Sequence, residues 1–127
     1  MPDGRERGSA AVEFALVLPL VLVLVLGMVQ VGVFARDRLM VEAAARAGAR
    51  TAAVVDDPAA VRAAALAAAP ALRDADLALE VVRAGGRGDP VSVRITYVDA
   101  VRVPFLSWLI PDGVTMSSTT VARQEFG

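Results

Sequence analysis

The chain contains neither cysteine nor histidine. Their absence removes any disulfide framework, most zinc, haem and iron–sulfur ligation, and the triads that need an imidazole or a thiol. Lysine is missing too, so all thirteen basic residues are arginine, which together with the abundant Ala and Val reads as coding bias. Thirteen basic against fourteen acidic residues leave a formal net charge of -1. The arginines are dispersed, so there is no electrostatic footprint for nucleic acid.

What the chain has in quantity is apolar surface, 56% of its 127 residues. Residues 10–34 are apolar except for Glu13 and Gln30. As a helix, about 25 such residues are long enough to cross a bilayer. Glutamate near a membrane centre costs about 2 to 3 kcal/mol or more, so Glu13 is a candidate for function. The bland alternative is that it snorkels to the interface. A cleaved secretory signal is the other reading of the segment. Against it stand the length of the run, the presence of Glu13 and the lack of a small-x-small site after Leu26. A retained anchor over residues 9–34 is therefore expected, followed by one small domain at 35–127.

Within the span Pro19 removes a backbone donor and predicts a kink. Gln30 falls near the far end, where water or a carbonyl can satisfy it. Beyond the span Arg38, Glu42, Arg46 and Arg50 recur at intervals of four and predict a polar stripe with a Glu42 to Arg46 pair. Met40, Ala44, Ala47, Gly48 and Thr51 form the opposite face. Their small side chains fit close packing on the domain's own strands, on a neighbouring subunit, or on both.

Asp57-Pro58 reads as an N-cap with proline at the first helical position, opening a second helix that ends near Pro70. From Leu77 the period becomes two. A turn cluster at 84–90 separates this strand from a second, with Val91, Val93, Ile95 and Tyr97 inward, and a third strand is expected at 114–123. The fold class is α+β: a long N-terminal transmembrane helix continuing into a domain with a second helix and a three-stranded antiparallel sheet. Between the second and third strands lies the Pro-bracketed segment Phe105, Leu106, Ser107, Trp108, Leu109, Ile110, holding the only Trp. It reads as a lid on the core, as a partner contact, or as a segment at the membrane interface.

No constellation for catalysis is present. Asp56-Asp57 and Asp74-Ala75-Asp76 lack the loop length and glycine placement of a calcium-binding loop and read as caps and turns. The hydroxyls at 117–120 have no base to activate them. No cofactor and no metal is expected, and the chain reads as a non-enzyme.

The string Gly8-Ser9-Ala10-Ala11-Val12-Glu13-Phe14 follows a short charged leader and precedes the apolar run. With the alanine-rich Ala43-Ala44-Ala45-Arg46-Ala47-Gly48-Ala49-Arg50 beyond it, this resembles the TadE-like family of pseudopilins from tight-adherence (Flp) pilus systems. The resemblance implies a leader at residues 1–8, cleavage between Gly8 and Ser9 by a prepilin peptidase, and recognition of Glu13 and Phe14. It also implies partners among other pilins, pseudopilins and membrane assembly proteins, oligomerisation through the N-terminal helix, and a surface pilus as one destination. The expected placement is single-pass in the cytoplasmic (inner) membrane, N-terminus inside. Arginine counting alone, Arg5 and Arg7 against Arg36, Arg38, Arg46 and Arg50, mildly favours the reverse, so the orientation comes from the resemblance. The rival reading is a permanently anchored binding protein that keeps its leader. A hydrolase with an exported domain is the remote third.

Overall fold

A computed structural model describes residues 4–103 and 106–127. One helix, α1 (Gly4–Val54), makes up the N-terminal part, and α2 (Pro58–Ala68) follows. A 3-10 turn (Asp74–Asp76) leads into β1 (Leu77–Arg83), β2 (Pro90–Asp99), the single turn α3 (Leu106–Leu109) and β3 (Val114–Arg123). The strands form an antiparallel sheet in the order β1-β2-β3. This is the α+β arrangement that the periodicities predict.

The domain has two layers. The inward face of β2, Val91, Val93, Ile95 and Tyr97, is buried, together with Leu77 of β1 and Met116 of β3. Against it lie Val41, Ala44, Ala45, Ala49, Ala52 and Ala53 of α1 and Val61 and Ala65 of α2. Alanine and glycine bring the helix close to the sheet: a Cβ placed on Gly48 would stand 3.2 Å from Val93 Cγ1. The small-residue face of α1 therefore packs on the strands of its own domain.

Local chemistry fixes the boundaries. Asp57 has extended backbone and its Oδ1 accepts a hydrogen bond from Ala59 N at 3.0 Å, with Pro58 opening α2, as an N-cap requires. The C-terminus of α1 has no basic residue of its own in the last turn. Its exposed carbonyls are satisfied from elsewhere. Arg83 of β1 donates to Ala52 O at 2.7 Å and Val55 O at 3.0 Å, and Glu125 N donates to Ala53 O at 2.7 Å. Arg83 also pairs with Asp56 at 3.0 Å and stands over the Phe126 ring. A cation at that end complements the helix dipole, so one side chain ties α1, β1 and the C-terminal segment together.

Candidate functional site

The N-terminal features lie on a single helical surface. Gly8, Ser9, Glu13 and Phe14 are all exposed. Ser9 Oγ donates to Glu13 Oε1 at 3.3 Å across one turn. The helix is already formed at Gly4, so the Gly8–Ser9 bond lies inside it. α1 continues through Pro19, which leaves the Ala15 carbonyl without its usual donor.

The membrane-length part of α1 is unburied. It has an 18-residue window of mean hydropathy 2.7, and none of that window is buried within the molecule. Val12, Phe14, Leu16, Leu20, Leu22, Leu24, Met28 and Val31 are each exposed. Exposed apolar surface of this extent on a soluble monomer marks a binding or membrane-contacting surface. A long apolar helix that finds no cover in its own chain suits a single-pass anchor.

Further along, one side of the same helix is covered. Gln30 and Asp37 are only 5% and 7% exposed. They share a seam with Phe34, Val41, Ala44 and Gly48, spaced alternately by three and four. Gln30, expected where water or a carbonyl can satisfy it, lies on the covered face. Asp37 meets Asp99, the last residue of β2, which is 2% exposed and whose Oδ2 has no hydrogen-bond partner among the described residues. Burial holds the Asp99 carboxyl above the usual range, and the adjacent Asp37 carboxyl raises it further; Arg102 and Arg73 oppose the shift.

Asp99 marks the root of the segment that carries α3. Gly113, at the other root, has φ +72°, and a Cβ there would collide with Asp99 O, so only glycine fits. Between the roots, Leu106 and Ile110 are half-buried, whereas Trp108 is 82% and Leu109 68% exposed. Phe105 lies outside the described residues. Leu106, Trp108 and Leu109 line an apolar cleft with Val23 and Gly27 of α1. Trp108 and Leu109 therefore stand outside the domain core, beside the apolar part of α1.

The remaining charges serve the fold. Glu42 pairs with Arg38 at 3.2 Å and with Arg46 at 3.9 Å, as the interval of four predicts. Asp74 binds Arg62, and Asp76 pairs with Arg73 at 2.5 Å. Among the described residues no group of acidic side chains is arranged to hold a metal ion. Sequence reasoning named neither the Asp37–Asp99 contact nor the Arg83 clamp. The first had a signal, since Asp99 continues the inward phase of Val91, Val93, Ile95 and Tyr97. The second had none.

Comparison with curated proteins and with solved structures gives no significant match. The segment that carries Gly8, Glu13, Phe14, the apolar run and the alanine-rich stripe, residues 8–50, matches the family model described as TadE-like protein, a pilus-associated family.

Proposed function

We propose that the chain is a TadE-like pseudopilin. It is anchored by residues 9–34 in the cytoplasmic (inner) membrane, with its N-terminus on the cytoplasmic side and residues 35–127 outside. It is trimmed by a prepilin peptidase and, with other pilins, pseudopilins and membrane assembly proteins, supports assembly of a Flp/Tad pilus or a related secretion apparatus. The observation that carries this reading is a coincidence of position. The family match begins at Gly8, and five residues on stands Glu13, the single carboxylate of the largely unburied apolar run at residues 10–34.

Hydrolysis of the Gly8–Ser9 bond consumes one water and leaves a carboxylate on Gly8 and an ammonium on Ser9. The bond is helical in the uncut chain, so this turn must unwind to enter a protease. Glycine at position 8 favours that, being about 1 kcal/mol poorer than alanine in a helix interior, and it lets the protease approach the backbone. Glu13, which in the uncut chain accepts from the Ser9 hydroxyl, then also has a backbone ammonium at the same residue one turn away. In an assembly the carboxylate of one subunit neutralises the amine of the next as both leave the headgroup region. Desolvation offsets much of the attraction, so the pair sets register more than stability. Pro19, missing one hydrogen bond, supplies a point at which the helix can bend during extraction from lipid.

The test is the N-terminal mass of the protein extracted from membranes. In cells with a prepilin peptidase the chain should begin at Ser9, and in cells without it at the leader. An intact leader in both overturns the proposal in favour of a permanently anchored binding protein.

A further inference from the structure

The segment between β2 and β3 reaches down α1 from the domain toward the apolar helix. It leaves the sheet at Asp99, beside Asp37, and its helical turn α3 shares an apolar cleft with Val23 and Gly27. At a rise of about 1.5 Å per residue, Gly27 is about 15 Å and Val23 about 21 Å along α1 from Asp37. Both residues fall in the apolar stretch of the helix. If α1 spans a bilayer, α3 beside them cannot remain in bulk water.

We propose that α3 is a second membrane contact, with Trp108 and Leu109 immersed in the lipid leaflet next to the domain. This rests on the reading of α1 as a membrane anchor. Four observations support it. First, Trp108 and Leu109 are the exposed members of the segment, at 82% and 68%, and neither is covered by the sheet. Secondly, the cleft of about 350 Å³ between α3 and α1 is lined by Val23, Gly27, Leu106, Trp108 and Leu109, without a charged side chain. It is continuous with the exposed apolar surface of α1 at Leu22, Leu24 and Leu26, so the solvent that suits one suits the other.

Thirdly, the backbone of the segment supplies its own hydrogen bonds. Ser107 N donates to Val103 O at 3.2 Å, Ile110 N to Leu106 O at 2.9 Å, and Gly113 N to Ile110 O at 3.4 Å. Pro111 has no donor to satisfy. Non-helical backbone at membrane depth is costly unless its polar groups are paired, and these three internal bonds lower that cost. Fourthly, Arg102 and Asp112, which flank the apolar stretch, are exposed, so the charge on both limbs lies outside it. The contact would fix the depth and tilt of the domain as well as anchor it.

Trp108 is the chain's only tryptophan, so intrinsic fluorescence reports this site without labelling. The full chain is reconstituted at low protein-to-lipid ratio in phosphatidylcholine vesicles, with or without phosphatidylcholine brominated on its acyl chains. The expected result is a blue-shifted emission that loses most of its intensity to the brominated lipid and little to aqueous acrylamide. Leu109→Arg should restore acrylamide quenching. Emission at the wavelength of indole in water and indifferent to bromine overturns the inference, as does shielding from both quenchers, which would mean a protein contact. Alkaline carbonate extraction of the same vesicles separates the two readings. A retained chain with an aqueous Trp108 removes only this inference, whereas a released chain removes the anchor itself.

Discussion

The two ends of α1 differ in composition and in environment: between residues 10 and 34 only Glu13 and Gln30 are polar, whereas Arg36, Asp37, Arg38, Glu42, Arg46 and Arg50 charge the other end. From Val12 to Val31 the helix offers exposed Val, Leu, Phe and Met around most of its circumference, whereas Val41, Ala44, Ala45 and Ala52 are fully buried against α2 and the sheet. The difference lies in side-chain size and in the cover that the rest of the chain provides. The buried end uses alanine and glycine to bring a helix against a sheet made by the same polypeptide. The exposed end uses bulky aliphatics for which this chain has no matching surface, as lipid and neighbouring helices would. One continuous helix thus serves two solvents.

Substitutions at the two ends should separate cleanly. The largest effect is expected from Glu13→Ala, which should abolish subunit association into fibres while leaving thermal unfolding of the domain unchanged. Co-purification of subunits and electron microscopy of sheared cell-surface material read the first, and circular dichroism of the full chain in micelles reads the second. Fibre production that survives this substitution would sink the role given to the carboxylate.

At the buried end Gly48→Leu should overpack the contact with Val93 and destabilise the domain by about 3 kcal/mol, with no loss of membrane retention. Denaturant titration in micelles measures it. Arg83→Ala should cost about 2 kcal/mol, because it strips donors from the Ala52 and Val55 carbonyls and removes the contact with Phe126. A cost as large as that of Gly48→Leu would show that the clamp, and not close packing, dominates the junction.

The smallest effect is a slope. The Asp99 carboxyl is held above its unfolded value, so the folded state binds more protons than the unfolded one in that window. Stability should therefore fall as pH rises from the ordinary carboxylate value of about 4 to the raised value of Asp99. Asp99→Asn should flatten that slope. Melting temperatures of the two proteins across the acid range decide the matter.

How much of this was legible depended on period and on caps. The inward set of β2, the bounds of β3, the Asp57 cap and the ladder around Glu42 follow from spacing alone, because each is local or repeats. The buried face of α1 was only partly legible. Of the expected face Ala44 and Gly48 are buried and Met40, Ala47 and Thr51 only half-buried, while Val41, Ala45 and Ala49 join them because α2 and the sheet together cover a wider arc of the helix. The polar residues of the seam were hidden for a different reason. Gln30 and Asp37 interrupt the apolar period, and only the folded position of the Asp99 root brings a neighbour to Asp37. In the candidate site, Gly8, Ser9, Glu13 and Phe14 were legible as a motif. The descent of α3 along the helix was not, since the local sequence fits a lid equally well and only the path between Asp99 and Gly113 decides.

The unbroken course of α1 also limits how this molecule can turn. Helical connection through residues 30–37 leaves no swivel between domain and anchor, so the azimuth of one dictates that of the other. The α3 cleft occupies the flank at Val23 and Gly27. In the proposed assembly a helix from another subunit would approach from the remaining arc, and the azimuth of the domain would then set the angular placement of successive subunits.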